Sequence, residues 1–177
     1  FICILITMKL ELKKFDPSKI ASDSVVVFIG KRNTGKSYCM KDILNYHRDI
    51  PVGVVISPTE RANGYFEKFI PKMLILSLIN IRSMFMNGRH YKIFFLITMQ
   101  HALGLPPVLR NNIDYIFIFR NNILKEKQKI YDHYAGMFPS FEAFNQVMNQ
   151  TTENFECLVI DNKIQSNRLE DQVFWYK

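Results

Sequence analysis

Apolar residues in this chain gather in short unbroken runs, separated by longer stretches in which they recur every three or four positions. Val25–Ile29 is continuous, apolar and rich in β-branched residues, the pattern of a strand buried on both faces. "VGVVI" at Val52–Ile56 is a second such run, closed by Ser57 and Pro58. Tyr91–Met99, Tyr115–Phe119 and Cys157–Ile160 supply a third, fourth and fifth.

Between the runs the period changes to that of a helix. Met40, Ile43, Leu44 and His47 share one helical face, as do Leu74, Leu78, Ile81 and Phe85, whose helix should end at Asn87-Gly88. "LPPVLRNN" predicts a turn and a short helix. Ile123, Lys127, Ile130 and Tyr134 mark a helix ending near Gly136. Ser140 is a candidate N-cap for a helix carrying Phe141, Phe144, Val147 and Met148. Ser166 is expected to cap a last helix with Leu169, Val173 and Tyr176 on one face.

Strands alternating with helices predict an α/β fold, a mostly parallel sheet with helices on both faces. No repeat, low-complexity tract or Gly/Ser linker divides the chain, so residues 1–177 read as a single domain. Ligands in such sheets bind beyond the carboxyl ends of the strands. Chemistry is therefore expected in the loops after residues 29, 56, 99, 119 and 160.

The first of those loops carries a recognisable device. Gly30 to Ser37 reads G-K-R-N-T-G-K-S, a full match to the phosphate-binding pattern G-x-x-x-x-G-K-[ST]. An apolar strand precedes it and an amphipathic helix follows, the context that separates a working loop from a chance match. Gly30 and Gly35 are expected to take positive φ and let the backbone approach a phosphate. The loop N–H groups and the helix N-terminus then face its oxygens. Lys36 should reach the β- and γ-phosphates of ATP, and the Ser37 hydroxyl should ligate Mg2+. Lys31 and Arg32 add positive charge at the rim. The nucleotide-binding set is thus Gly30, Lys31, Arg32, Asn33, Thr34, Gly35, Lys36, Ser37 and Tyr38, and the fold class is that of a P-loop NTPase.

Other positions are candidates by their place along the chain alone. Gln100, at the carboxyl end of the third strand, is a candidate to orient a water at the γ-phosphate, against the plainer reading of a surface amide. Arg110, and less so Arg120, are candidates to stabilise phosphoryl charge in their own or a neighbour's site, against a solvated or nucleic-acid-contacting arginine. His47, His90, His101 and His133 have no metal-ligand spacing, and His47 reads as a packed side chain.

Charge widens the picture. The chain carries a net charge of +7 with a pI near 9.3, which favours polyanionic partners, nucleic acid before membrane. Three scattered cysteines, Cys3, Cys39 and Cys157, argue for a reducing compartment and against a disulfide framework or zinc site. "FICILIT" is too short to span a bilayer, so no membrane insertion is expected. Met8 is a candidate natural start, with residues 1–7 extraneous.

Several stretches are similar to one family. "FIGKRNTGKSYCMKDILNYHRDIPVGVVIS", "MFMNGRHYKIFFLITMQHALGLPPVLRNNIDYIF", "HYAGMFPSFEAFNQVM" and "ECLVIDN...SNRLEDQVFWYK" resemble the virion DNA-packaging ATPases of large nucleocytoplasmic DNA viruses, poxvirus-type, in the FtsK/HerA-like branch of P-loop ATPases. The resemblance spans nearly all of residues 8–177. It implies a motor ATPase that moves double-stranded viral DNA into a capsid, as a homo-oligomeric ring beside capsid or portal components. It places the protein in the virus factory of the host cytoplasm or in the virion. It matches Lys36 and Ser37 to the nucleotide and magnesium contacts, and Gln100 to the polar sensor on the strand beside the phosphate-loop strand.

The chain departs from that family at one point. Members carry a Walker B strand ending in acidic residues before the segment matching "MFMNGRHYK". Here no Asp or Glu stands between Lys68 and Asp114, so one central strand is read as deleted together with its acids. Asp161, after "CLVI", and Glu60, after the second strand, are the weak candidates to replace them as metal ligands. Asp114 precedes its strand and should lie at the wrong end of the sheet. The alternatives are therefore an active packaging ATPase, a hydrolysis-deficient relic or truncated gene model of one, a small-molecule P-loop kinase, and a basic DNA-binding module with an idle nucleotide site.

Overall fold

The computed structural model describes residues 10–49, 53–54, 73–74 and 92–177. Its centre is β2 (Val25–Ile29), whose five residues are all buried. A run apolar at every position needs cover on both faces, and β2 has it: Val25, Val27 and Ile29 enter one core and Val26 and Phe28 the other, while two parallel strands flank its edges. On one side is β5 (Phe95–Met99), with Val27 opposite Ile97, and on the other β6 (Tyr115–Ile118), with Val27 opposite Ile116. β7 (Cys157–Asp161) pairs antiparallel with β6, and β8 (Val173–Tyr176) antiparallel with β7. The short β1 (Lys13–Lys14) lies parallel against β8. The strand order is β1-β8-β7-β6-β2-β5. A separate parallel ladder joins β3 (Gly53–Val54) to β4 (Met73–Leu74).

Helices cover both faces, as the alternating pattern predicts. Against one face pack α2 (Pro107–Arg110), α3 (Leu124–Tyr134) and α4 (Phe141–Thr151). They place Ile130, Tyr134, Phe144 and Met148 on Ile116, Ile118, Leu158 and Ile160. On the other face α1 (Lys36–Tyr46) lays Met40 and Ile43 over Val26, Phe28, Phe117 and Val159. Phe15 seals the end of that layer with edge-on contacts to Tyr115, Phe117, Phe174 and Tyr176. Ser140 caps α4 as expected, its hydroxyl accepting from the Ala143 N–H at 3.2 Å.

Three expectations are corrected. The chain's last element is not a helix through Val173 and Tyr176: the helix α5 stops at Leu169–Gln172, and Val173–Tyr176 is a strand. Val173 and Tyr176 are both buried but in opposite cores. Positions three apart lie on one face of a helix but on opposite faces of a strand, so a strand covered on both sides imitates the helical spacing. Leu74 belongs to β4 and not to a helix; Leu78, Ile81, Phe85 and the Asn87-Gly88 turn lie outside the described residues. Finally, β7 runs against β6, which moves its carboxyl end to the far edge of the sheet.

Asp114 ties the amino ends together. Its buried carboxylate accepts from the Val25 N–H at 2.8 Å, and its own N–H donates to the Val25 carbonyl at 3.0 Å. His47 is packed, as its position predicted, with its ring 4.5 Å from that of Phe94. Its Nε2 is buried with no hydrogen-bond partner among the described residues. Burial holds its pKa below the ordinary 6.5, against a smaller opposing pull from Asp49. The unfolded chain therefore takes up this proton first. Stability from this group is complete above about pH 6.5 and is lost as pH falls through the lower folded value. The melting temperature should drop as pH falls below about 6.5, and drop less in His47→Leu. An equal drop in the variant would assign the effect to other groups.

Candidate functional site

β2 runs straight into the phosphate loop, and the loop's first residue is fastened on two sides. The Gly30 N–H donates to the Met99 carbonyl at 3.1 Å, and the Phe119 N–H donates to the Ile29 carbonyl at 2.8 Å. A Cβ on Gly30 would stand 2.7 Å from the Phe119 Cβ and 3.0 Å from the Thr34 Oγ1. Gly30 is therefore required by packing. It does not take the positive φ expected of it; that conformation belongs to Asn33 (φ 61°) and Gly35 (φ 93°). The Thr34 hydroxyl closes the turn by donating to the Lys31 carbonyl at 2.8 Å.

Gly35 is the N-cap of α1, which begins at Lys36. The first N–H groups of a helix have no intrahelical acceptor, so this end is a donor array with partial positive charge. Lys36 folds back over the loop. Its ammonium donates to the Gly30 carbonyl at 2.7 Å and also to that of Lys31. Partial burial lowers its pKa, a bias that a phosphate oxyanion beside it would reverse. Ser37 and Tyr38 lie exposed on the first turn, and Arg32 is exposed on the rim.

From this end an open groove of about 1040 Å³ follows α1 past Tyr38 and Asn45 to Asn154, Phe155 and Tyr176. Sequence reasoning missed its far wall. It placed chemistry after each strand, including after residue 160. Because β7 is antiparallel, the turn before it meets the phosphate loop instead. A Cβ on Gly35 would lie 3.5 Å from the Phe155 Cβ. The positive φ of Asn154 and Phe155, 49° and 65°, has no signal in the sequence beyond the asparagine.

The remaining candidates separate by edge. Gln100 directly follows Met99, which pairs with Ile29, so it stands exposed beside Gly30 at the loop edge. Arg120 is also on this edge, one residue beyond Phe119, with its Nε donating to the Asn122 side chain at 3.3 Å. Arg110 is not brought to the loop. It donates to the Leu105 carbonyl at 3.0 Å, stacks over Tyr134 at 5.7 Å, and borders a cleft with Asp114 and Asn162 at the amino edge of β6. Sequence position ranked Arg110 above Arg120 for a role in their own or a neighbour's site; the topology puts Arg120 at this chain's loop edge and Arg110 at the opposite one.

Asp161 is corrected in the same way. It pairs with Tyr115 at the start of β6, across the sheet from the loop, and its carboxylate accepts from the Lys163 N–H at 2.9 Å. It cannot hold a metal at Ser37. Glu60 lies outside the described residues. Of the acids near the loop edge, Asp42 accepts from the Tyr176 hydroxyl. Glu126 is paired with Lys129 at 2.7 Å and lies 3.9 Å from His101. Glu156 is paired with Lys177 at 3.2 Å. No cluster of three or more metal-ligating side chains occurs among the described residues. No described helix is long and apolar enough to cross a membrane.

A buried parallel strand, a glycine-bounded loop and a helix starting at the loop lysine define the P-loop NTPase fold. The same fold is found in the genome packaging NTPase B204 from Sulfolobus turreted icosahedral virus 2, solved in complex with ATP-gammaS. That likeness has a TM-score of 0.59 at 15% identity and covers 89% of this chain and 98% of the other. The crystal structure of B204, the DNA-packaging ATPase from Sulfolobus turreted icosahedral virus, matches with a TM-score of 0.58 at 16% identity, over 89% and 98%. No family model matches the chain. The chain belongs to the same family as the uncharacterized protein L437 of Acanthamoeba polyphaga mimivirus, to which it is 34% identical over 96% of its own length and 78% of the relative's. Protein 075L of Invertebrate iridescent virus 6 is 30% identical over 97% and 87%. These relatives support kinship with large DNA viruses and do not reach the poxvirus type specifically. The two matches extend over 220 and 224 positions, more than the 177 residues of this chain, so both relatives carry residues that it lacks.

Proposed function

We propose that this chain is an ATP-binding protein of the viral genome-packaging type. The observation that carries this reading is the phosphate loop itself: left-handed Asn33 and Gly35, a packed Gly30, and the Lys36 ammonium poised over the loop at the start of α1. These residues fit a triphosphate. Side chains at Gly30 or Gly35 would clash or strain, leaving backbone N–H groups to form the cradle. Lys36 would bind the β- and γ-oxygens, the Ser37 hydroxyl would ligate Mg2+, and Gln100 would orient water at the exposed end. Bound Mg2+ supplies charge neutralisation of the transferred phosphoryl group. The intended partner is double-stranded viral DNA, favoured by the basic balance of the chain. A homo-oligomeric ring, with capsid or portal components in the virus factory or virion, would complete the assembly. In a ring, Arg110 could serve only a neighbouring subunit's site.

A second reading is favoured by a specific observation: binding without efficient hydrolysis. No acid stands between Lys68 and Asp114. Among the described residues β5 is bonded to β2 alone and forms the outer strand of the main sheet. The family resemblance implies an acid-bearing strand beyond the strand that ends at Gln100, and its loss would leave such an edge. ATP hydrolysis by the purified chain, with and without duplex DNA and with Lys36→Ala as blank, separates the readings. The expected result is ATP binding with turnover no greater than the blank. DNA-stimulated turnover abolished by Lys36→Ala would overturn the second reading and establish a working motor core.

A further inference from the structure

Phe155 is the residue that neither the core nor the backbone explains. Its side chain is 73% exposed, an unusual fate for a phenylalanine. Its φ of 65° is a conformation that bulky residues avoid, and Asn154 before it shares that conformation with φ 49°. Strain of this kind is kept where the surroundings impose it, and it gathers at ligand sites. Here the strained turn is set against the phosphate loop: a Cβ on Gly35 would lie 3.5 Å from the Phe155 Cβ and 3.6 Å from its ring Cδ1. Tyr38, 78% exposed, stands in the same groove on the first turn of α1.

We propose that Phe155, with Tyr38 beside it, is the platform for the base of the bound nucleotide. This rests on the reading of the loop as a triphosphate site. A nucleotide whose phosphates sit on the Gly35–Ser37 end must send its sugar and base along an adjoining surface. The groove past Tyr38, Asn45 and Asn154 adjoins that end. Aromatic faces stack on any base, with larger overlap for purines, and read no hydrogen-bond pattern. The platform therefore selects a purine nucleoside triphosphate over a pyrimidine one and separates ATP from GTP poorly. The antiparallel course of β7 builds it, by bringing the turn that precedes the strand to the loop edge.

The test compares Mg2+-ATP, Mg2+-GTP, Mg2+-CTP and Mg2+-tripolyphosphate, titrated calorimetrically into wild type, Phe155→Gly and Phe155→Trp. Glycine accepts the left-handed backbone, so the Phe155→Gly fold should melt no lower than wild type. Its ATP affinity should fall about tenfold while tripolyphosphate binding stays unchanged, and Phe155→Trp should hold ATP within about threefold of wild type. Unchanged ATP binding in Phe155→Gly would overturn the proposal. So would an equal loss of ATP and tripolyphosphate, which would make Phe155 a support for the loop. Wild type binding CTP as well as ATP would remove the purine preference. Wild type binding neither ATP nor tripolyphosphate would overturn the phosphate-site reading itself, and the platform with it.

Discussion

Lys36→Ala should weaken Mg2+-ATP binding by about 100-fold and leave the fold intact. The ammonium is the point charge aimed at the β- and γ-phosphates. Each hydrogen bond to a charged partner is worth roughly 1.5–3 kcal/mol, and about 2.7 kcal/mol is a factor of 100 in affinity. The cost to stability is small for a visible reason. Lys36 donates to the carbonyls of Gly30 and Lys31 on a half-buried loop, where water can replace it. Partial burial lowers its pKa and so already disfavours the charge, and its removal relieves that penalty. A change within about 1 kcal/mol is expected, as for most substitutions away from the core. Calorimetric titration and a thermal melt check both halves. ATP affinity left unchanged in a folded variant would sink the proposed nucleotide site.

Gly30→Ala should damage the fold as well as the site. The added Cβ meets the Phe119 Cβ at 2.7 Å, and that atom is fixed to the backbone directly after β6, so no rotamer change relieves the contact. β2 and β6 must separate where the Phe119 N–H holds the Ile29 carbonyl at 2.8 Å. Overpacking of this kind costs about 1–3 kcal/mol. The same shift pulls Gly30 from Met99 and displaces Gln100, so ATP binding should weaken in parallel. Gly136→Ala is the control: nothing lies within 4 Å of its Cβ position, and it should melt within about 0.5 kcal/mol of wild type. A Gly30→Ala chain as stable as the control, with ATP bound normally, would show that β2 and β6 have slack the packing does not reveal.

Much of the architecture was readable from the chain alone. Val25–Ile29 is a strand with the bounds that its pattern predicts, since a continuous apolar run has few other places to go. The helices at Lys36–Tyr46, Leu124–Tyr134 and Phe141–Thr151 bury most of the faces that their spacing marked, although Ile123 caps the second helix and is exposed. The third strand begins at Phe95, leaving Lys92–Phe94 of the expected run outside it. The absence of any Asp or Glu between Lys68 and Asp114 is also a fact of sequence, which no fold can change.

Strand direction was not readable, and it decides the site. An apolar run reads the same whichever way the strand runs, because side-chain alternation has no polarity. β7 pairs antiparallel with β6 while its side chains enter the cores on both faces. That one fact removes Asp161 from the loop edge and brings Asn154 and Phe155 to it. Arg110 and Arg120 fall at opposite edges for a related reason: they lie before and after β6, and only the sheet shows which end faces the phosphates. The sequence by itself determined a phosphate loop between a buried strand and an amphipathic helix, because those signals are local in the chain. The tertiary structure alone decided which distant residues face that loop, because this depends on how strands order and orient across the sheet.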